Sequence, residues 1–264
     1  MRKAEKRMSK EFLSKIRRLN WVLSESTTGS LSYQDLSLIL SEIINANVYV
    51  LDARGIVLGV AYTDALDTST FEDELGFEKV SEEDNTGFLE INQTMANLVG
   101  DSLIPVLGEN YSMKDKYHSI IPIICGGERL GTLLLARYND SYDDEEIALC
   151  EYGATVVGLE IRRNIQLEHA KERSLRLAVD MALETLSFSE KDALVRIMGQ
   201  LSESEGLIVT SKVAAQYGLT NSVVVNALRK MESARLIETK SLGMKGTYIK
   251  ILNPYLKETA DKSI

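Results

Sequence analysis

Residues 211 to 252, SKVAAQYGLTNSVVVNALRKMESARLIETKSLGMKGTYIKIL, predict a short helix, a glycine turn, a second helix and a hairpin in that order. Gly218 can adopt the positive φ that a tight turn between the helices over 211–217 and 221–234 requires. Thr220 is a typical N-cap residue for the second helix. This order of elements is typical of a winged helix-turn-helix and limits the folds open to the C-terminal part of the chain.

The second helix of this stretch has two chemically different sides. One side repeats apolar residues at helical spacing, which predicts a face packed on a core, at Val224, Ala227, Leu228 and Met231. Another side carries Arg, Lys, Asn and Ser, which can contact phosphates and base edges, and the hairpin adds lysines, Lys250 among them. The predicted DNA-contacting residues are Thr210, Ser211, Lys212, Thr220, Asn221, Ser222, Asn226, Arg229, Lys230, Lys240, Ser241 and Lys245. The alternative is a helical bundle whose polar face is only solvated.

The charge of the chain is unevenly distributed. The formal net charge is −9, yet the residues from Ser187 onward contain 11 Lys/Arg against 8 Asp/Glu. Residues 206–252 contain 7 basic and 2 acidic residues. The predicted helix-turn-helix is therefore a local basic region in an acidic protein, and this charge favours contact with a polyanion.

The N-terminal part predicts an α+β sensor domain. Helices are predicted over 11–24 and 32–45 from the spacing of their apolar residues, and hairpins are predicted around 52–55 and around Gly126-Gly127. Residues 64–117 are acidic at first and have few strand signals, so they are predicted to be irregular. A sheet with helices and a long irregular middle is typical of GAF and PAS domains, which enclose a small ligand.

A long helix is predicted from about Ser141, its candidate cap, to Leu186. It lacks proline, and four carboxylates at 143–146 suit a helix start. At 1.5 Å per residue it would span roughly 65 Å, so it must bridge two domains or pair with a copy of itself. Gly153 and Gly158 are predicted to allow close approach of a partner.

Several patterns argue against other kinds of site. GGERLGT, residues 126–132, lacks the lysine of a phosphate loop and leads into a strand, so a hairpin turn is favoured. His118 and His169 have no metal-ligand spacing, and Cys125 and Cys150 suit neither a zinc site nor a disulfide framework. We therefore expect no metal, no cofactor and no catalytic residues.

The location of the protein is expected to be cytoplasmic. No apolar run reaches the roughly 18 residues of a membrane span, and MRKAEKRMSKEF lacks the apolar block of a secretory signal. No membrane contact is expected.

Four segments carry a resemblance to a known family. GGERLGTLLLARY, LCEYGATVVGLEI, VVVNALRKMESARLIE and SLGMKGTYIKILN resemble the CodY family, the branched-chain amino acid and GTP responsive transcriptional regulators of low-GC Gram-positive bacteria. The similarity covers most of the chain and is strongest after about Ile120. It implies an N-terminal GAF domain, a linker helix, a winged helix-turn-helix and a homodimer. It also implies that isoleucine, leucine or valine strengthens binding to operators, which represses genes of amino acid uptake and biosynthesis.

The resemblance also implies an effector-binding region. Its residues are Thr70, Phe71, Phe77, Ser102, Ile104, Pro105 and Val106. Thr70 stands where the family has an arginine for the ligand carboxylate, so backbone N–H groups or the hydroxyls of Thr70 and Ser102 must replace that arginine, or the specificity has changed. Of the basic residues that contact GTP in the family, DARGI keeps Arg54, and in the second helix of the motif Asn221 replaces an arginine.

The domains are predicted as 1–162 for the sensor, 163–186 for the linker helix and 187–264 for the winged helix-turn-helix. The predicted function is a DNA-binding regulator, mainly a repressor, whose affinity for operators is raised by a branched-chain amino acid, with GTP as a further candidate effector. Two alternatives stay open: control by a protein partner through the acidic N-terminal part, or an enzyme that uses the carboxylates of 64–90 on a nucleotide.

Overall fold

The chain divides into two units, Met1–Ile165 and Gln166–Ile264, in the computed structural model. The structure describes residues 2–25, 32–63, 70–72, 74–109, 114–201 and 203–262. The predicted limits of the three domains stay a prediction.

The N-terminal unit is built on an antiparallel sheet. In chain order its elements are α1 (Arg2–Glu25), α2 (Tyr33–Ile44), β1 (Asn47–Asp52), β2 (Val57–Ala61), β3 (Phe71–Glu72), β4 (Glu78–Lys79), α3 (Glu82–Glu90), β5 (Met95–Leu98), α4 (Ile104–Leu107), β6 (Tyr117–Cys125), β7 (Glu128–Arg137) and the start of α5 (Asp144–Glu184). Five strands form the main sheet in the order β2-β1-β7-β6-β5, and β3 pairs with β4 separately.

The main sheet has an apolar layer on each face. One layer joins buried residues of α1, α2 and α5 to alternate residues of the strands, for example Leu40 with Leu133 and Val157. The layer on the other face contains Phe88 of α3 and Leu107 of α4 with Leu134 of β7. Successive side chains of a β-strand point to opposite faces of the sheet, so a single strand contributes residues to both apolar layers.

Both predicted hairpins are confirmed. β1 and β2 flank a turn in which Gly55 has a φ of 79°, and β6 and β7 flank Gly126 and Gly127, whose φ values are 61° and 83°. The hairpin interpretation of residues 126–132 is therefore right.

The prediction for residues 64–117 was partly wrong. Among the described residues of this segment, the structure contains α3, α4, β5 and the short β3–β4 pair. Ser81 caps α3 by accepting a hydrogen bond from the Asp84 N–H. Acidic residues in the first turn stabilise α3 through the helix dipole, although they make the sequence look like a solvated loop.

The predicted cap of the long helix was also wrong. α5 begins at Asp144, and the N–H of Glu146 donates to the Asp143 carboxylate at 2.8 Å. The Glu146 carboxylate in turn accepts from the N–H of Asp143 at 3.0 Å. This reciprocal pair makes Asp143 the capping residue, while the Ser141 carbonyl accepts from Arg137.

Gly153 and Gly158 were predicted to allow close approach of a partner chain, and this prediction was wrong. A Cβ at Gly153 would lie 3.1 Å from Leu40, and one at Gly158 would lie 3.3 Å from Ile123. Both glycines let α5 approach its own sheet and α2. Any surface of α5 that contacts a second copy of the chain must therefore be formed by other residues of this helix.

The C-terminal unit starts within α5 and continues through α6 (Phe188–Gln200), β8 (Glu205–Ile208), α7 (Thr210–Tyr217), α8 (Asn221–Ser233), β9 (Ile237–Ser241), β10 (Thr247–Ile251) and α9 (Leu256–Asp261). The sheet order is β8-β10-β9. Val179, Leu183 and Leu186 pack in the same core as Leu194 and Met231. The predicted order of helix, turn, helix and hairpin is confirmed.

Candidate DNA-contacting surface and effector-binding region

The turn between α7 and α8 is built as the sequence predicts. Gly218 follows α7 with a φ of 66°, in the left-handed region. The Thr220 hydroxyl accepts from the N–H of Val223 at 3.4 Å and caps α8. These two residues fix the start of α8, and Asn221 and Ser222 lie exposed in its first turn.

The two sides of α8 differ in burial. The predicted core residues are all buried: Val224, Ala227, Leu228 and Met231. Ser222, Asn226 and Arg229 are exposed. Their i, i+4 and i+7 spacing places them on one face, opposite the core. That face presents a hydroxyl, an amide and a guanidinium group, and the last two can make bidentate contacts with adenine and guanine.

Lys230 stands apart from the other predicted contacts. Its ammonium group donates to the Glu190 carboxylate at 2.7 Å and to the Thr185 carbonyl at 2.9 Å. These bonds hold α8 against α6 and the end of α5. Lys230 is therefore the weakest of the candidate DNA contacts, because it would have to leave two partners to reach a phosphate.

The hairpin after α8 is attached to that helix. The Glu232 carboxylate accepts from the N–H of Thr239 at 3.0 Å and from its hydroxyl at 2.8 Å. Lys240 and Ser241 end β9, Lys245 lies in the following 3₁₀ turn, and all three are exposed. The other candidates lie in the first turn of α7, where Ser211 and Lys212 are exposed and Thr210 is half-buried.

The first group of predicted effector residues surrounds β3 and β4. The Thr70 hydroxyl donates to the Glu78 carboxylate at 2.5 Å, and the Tyr62 hydroxyl donates to the same oxygen at 2.9 Å. Phe77 is 51% exposed, and the side chain of Phe71 lies outside the described part of the structure. Thr70 thus already has an acidic partner.

The second group lies in and before α4. The Ser102 hydroxyl accepts from the N–H of Val99 at 2.7 Å and donates to the Val99 carbonyl, so it stabilises its own turn. Val106 packs against the apolar layer on the α3 side of the sheet, Ile104 is half-buried and Pro105 is exposed. A Cβ at Gly87 would lie 1.8 Å from the Val106 carbonyl oxygen. Gly87 therefore sets the distance between α3 and α4.

Arg129 is a residue of this region that the sequence analysis missed. It lies on β7, and its guanidinium group donates to the carbonyls of Phe88 and Gly131 and to the Thr132 hydroxyl. All of these acceptors are neutral, and Nε is buried without a partner in the described residues. Burial lowers the pKa of Arg129 to about 10. The sequence gives no sign of this burial, because Glu128 and Arg129 look like ordinary hairpin residues.

The residue predicted at the nucleotide site has a local partner. Arg54 donates from Nε and Nη2 to the Asp52 carboxylate, at 3.0 and 2.8 Å. This pair closes the β1–β2 turn, and the Arg54 side chain is 78% exposed. A phosphate would have to compete with Asp52 for it.

In the described part of the chain, no group of three or more His, Cys, Asp or Glu side chains is placed to hold a metal ion. None of the described helices combines the length and apolar composition needed to cross a membrane. Cys125 and Cys150 are free thiols, and burial raises the pKa of Cys150.

The fold and this surface define a helix-turn-helix transcriptional regulator whose N-terminal α+β domain has the architecture of a small-molecule sensor. Residues 11–185 match the CodY GAF-like domain, and residues 204–261 match the CodY helix-turn-helix domain. The chain therefore belongs to the CodY family, which confirms the resemblance seen in the sequence and the predicted fold class.

Relatives match over nearly the whole chain. The global transcriptional regulator CodY of Clostridium botulinum (strain Eklund 17B / Type B) is 43% identical over 253 residues, 95% of this chain and 98% of the relative. That of Brevibacillus brevis is 42% identical over 259 residues, 96% and 98% of the two chains. The cofactor-binding GAF domain of the nutrient sensor CodY from Clostridium difficile is 40% identical, with a TM-score of 0.48, and covers 56% of this chain and 96% of that one. Since the relatives are named transcriptional regulators, the prediction that the chain is not an enzyme is confirmed.

Proposed function

We propose that this protein is a repressor that binds double-stranded operator DNA as a homodimer, and that a branched-chain amino acid raises its affinity. The observation that carries the proposal is the exposed polar face of α8, which is capped by Thr220 and followed by a basic hairpin. In this proposal α8 contacts base edges, and the lysines of the hairpin and of α7 contact phosphates.

The effector is proposed to be isoleucine, leucine or valine. Its side chain would contact the apolar layer on the α3 side of the sheet, where Val106 packs. Its carboxylate would be held by backbone N–H groups near Pro105 and by Thr70 or Ser102. Because both hydroxyls already have hydrogen-bond partners, binding must exchange those partners, and the exchange lowers the net gain.

GTP is proposed as a second effector, with Arg54 as its phosphate contact. The exposed Arg54 side chain supports this, and its bond to Asp52 opposes it. Either effector can change operator affinity only as far as it binds the DNA-competent arrangement more tightly than the other arrangement.

The homodimer is proposed to form through the exposed sides of α1 and α5 in the N-terminal unit. Leu13 and Leu159 are large apolar residues that are 46% and 59% exposed. The Tyr152 hydroxyl donates to Asn20 at 2.5 Å, so the two helices are adjacent at that point. Such a face suits a second copy of the chain.

One experiment tests the proposal directly. Genomic DNA fragments that bind to the full-length protein would be isolated, labelled and titrated with the protein, with fluorescence anisotropy as the readout. Each titration would be repeated with isoleucine, valine, leucine or GTP at concentrations that increase in 10-fold steps. We expect isoleucine, leucine or valine to lower the dissociation constant of the protein–DNA complex. D-isoleucine is the control and should leave this constant unchanged. Tight operator binding that no effector changes would favour control by a protein partner instead.

A further inference from the structure

A cavity of about 200 Å³ lies at one end of the main sheet of the N-terminal unit. It is formed where α2 ends, β1 begins and β7 ends. The described residues that line it are three asparagines, a threonine, a tyrosine, an alanine, a lysine and an arginine, and none of them is acidic. None of them belongs to the predicted effector residues either. Such a lining suits a ligand that carries negative charge and accepts hydrogen bonds.

The deepest part of this cavity contains a lysine. Asn47 and Lys116 are each 1% exposed and Ala136 is 3% exposed, whereas Asn45 and Tyr138 are exposed at the rim. Removing an ammonium group from water is costly unless other groups compensate for it. The Tyr138 ring does so in part, because its centroid lies 4.7 Å from the Lys116 ammonium group. An oxyanion in the cavity would add a charge-assisted hydrogen bond to the same cation.

Hydrogen bonds hold the polar walls of the cavity in place. The Asn47 carboxamide oxygen accepts from the N–H of Thr63 at 2.7 Å and from its hydroxyl at 3.0 Å. Arg137 donates to both oxygens of the Glu146 carboxylate, at 2.9 and 2.7 Å. Because Glu146 neutralises Arg137, the charge that a ligand would engage is that of Lys116. A ligand would meet walls that need no rearrangement, which favours binding.

We propose that this cavity binds a small oxyanion, a carboxylate or a phosphate group, with the Lys116 ammonium group as its charge partner. The cavity is smaller than the roughly 300 to 1,000 Å³ of pockets that enclose drug-sized ligands, so the bound group must be small. It has two possible sources: a free anion, or the carboxylate of an amino acid that extends into the effector region. The inference goes beyond the proposed function, because it requires no contact with DNA.

The first test is isothermal titration calorimetry on the full-length protein, in a buffer that contains no phosphate or carboxylate. The probes are inorganic phosphate, pyruvate, isoleucine and the neutral acetamide. We expect phosphate or pyruvate to bind and acetamide not to bind. Lys116→Met should weaken anion binding by about 10-fold or more, because it removes a charge-assisted hydrogen bond at similar side-chain volume. Lys114→Met is the control, since the Lys114 ammonium group donates to the Glu109 carbonyl and does not line the cavity.

A second variant keeps the test valid if Lys116→Met does not fold. Asn45 is exposed, and its φ of 48° is in the left-handed region that Asp tolerates as Asn does. Asn45→Asp should therefore fold and should weaken anion binding severalfold, because it places a negative charge at the rim. Asn92→Asp, at an exposed position that does not line the cavity, controls for the added charge. Thermal unfolding verifies the fold of each variant.

The isoleucine titrations identify the source of the bound group. If isoleucine displaces the anion and loses affinity in Lys116→Met, the carboxylate of the amino acid occupies the cavity. If isoleucine and the anion bind independently, the site takes a free anion. The inference is overturned if none of the three probes other than acetamide binds, or if Lys116→Met and Asn45→Asp bind them as the wild type does. Operator binding that isoleucine still strengthens in that case would leave the proposed function standing.

Discussion

The Glu190 carboxylate and the Lys230 ammonium group lie 2.7 Å apart and join α6 to α8. Glu190 also accepts from the N–H of Ser187 at 2.8 Å, as the second half of a capping box. One carboxylate therefore caps α6 and anchors the helix that carries the candidate DNA contacts. The hydrogen bond from Lys230, followed by that from Ser187, lowers the pKa of Glu190 below its ordinary value of 4.5.

Removing this carboxylate should destabilise the C-terminal unit in a pH-dependent way. We expect Glu190→Gln to lower the free energy of unfolding by about 1 kcal/mol at pH 7. Because the pKa of Glu190 is lower in the folded protein, its contribution is complete above pH 4.5 and is lost as pH falls through the folded pKa. Urea denaturation followed by circular dichroism at pH 7 and below pH 4 measures the difference. Glu184→Gln, at an exposed position of α5, is the control, and equal effects of both variants would contradict the prediction.

Arg229→Ala and Lys245→Ala should each weaken operator binding without unfolding the protein, because both side chains are exposed and off the core face. The loss of one phosphate contact should reduce the slope of log K against log salt by about 1. Fluorescence anisotropy at several salt concentrations measures this slope. Glu238→Gln, on the same hairpin, is a charge control expected to bind at least as tightly as the wild type. If the slope is unchanged in both Arg229→Ala and Lys245→Ala, the assignment of this surface to DNA binding is contradicted.

A fragment of residues 166–264, which keeps the whole C-terminal unit and its core, should be largely monomeric and should bind operators poorly. It lacks the proposed dimer surface and therefore the second half-site contact with its high effective concentration. Analytical ultracentrifugation and anisotropy measure both properties, with Leu159→Glu in the full chain as an independent probe of the dimer surface. A fragment that binds as tightly as the full chain would show that dimerisation is unnecessary.

Substitutions in the effector region should change isoleucine affinity in opposite directions. Thr70→Arg should tighten binding, because a guanidinium pairs with a carboxylate about twice as strongly as neutral donors do. Val106→Asp should abolish binding, and Phe77→Ala, at an exposed position, should weaken it without loss of fold. Isothermal titration calorimetry measures all three. If isoleucine binds the wild type and none of the variants alters its affinity, the effector site lies elsewhere.

Gly87→Ala should destabilise the sensor domain. Its Cβ would meet the Val106 carbonyl oxygen at 1.8 Å, so α3 and α4 would have to separate, at a cost of about 1 to 3 kcal/mol. Gly199→Ala is the matched control, since no atom lies within 4 Å of its Cβ and helix propensity predicts a gain of about 0.5 to 1 kcal/mol. Thermal unfolding of both variants tests the contrast. Similar changes in the stability of the two variants would show that the close approach of α3 and α4 does not contribute to the stability of the sensor domain.

The local elements of this protein were determined by short-range signals in the sequence. Gly218 and Thr220 specify the turn and cap of the helix-turn-helix, and the apolar spacing of α8 specifies which side is buried. Two hairpins follow from glycine turns between apolar runs. These predictions succeeded because a cap, a turn or a face depends on residues a few positions apart.

The tertiary structure decided what each exposed or charged group does. Lys230 and Arg129 look alike in the sequence as free cations, yet one pairs with Glu190, 40 positions earlier, and the other lies half-buried against Phe88, 41 positions earlier. Gly153 and Gly158 serve contacts within the N-terminal unit, which their spacing alone could not reveal. Such roles depend on which distant segments the fold brings together, and no local pattern encodes that choice.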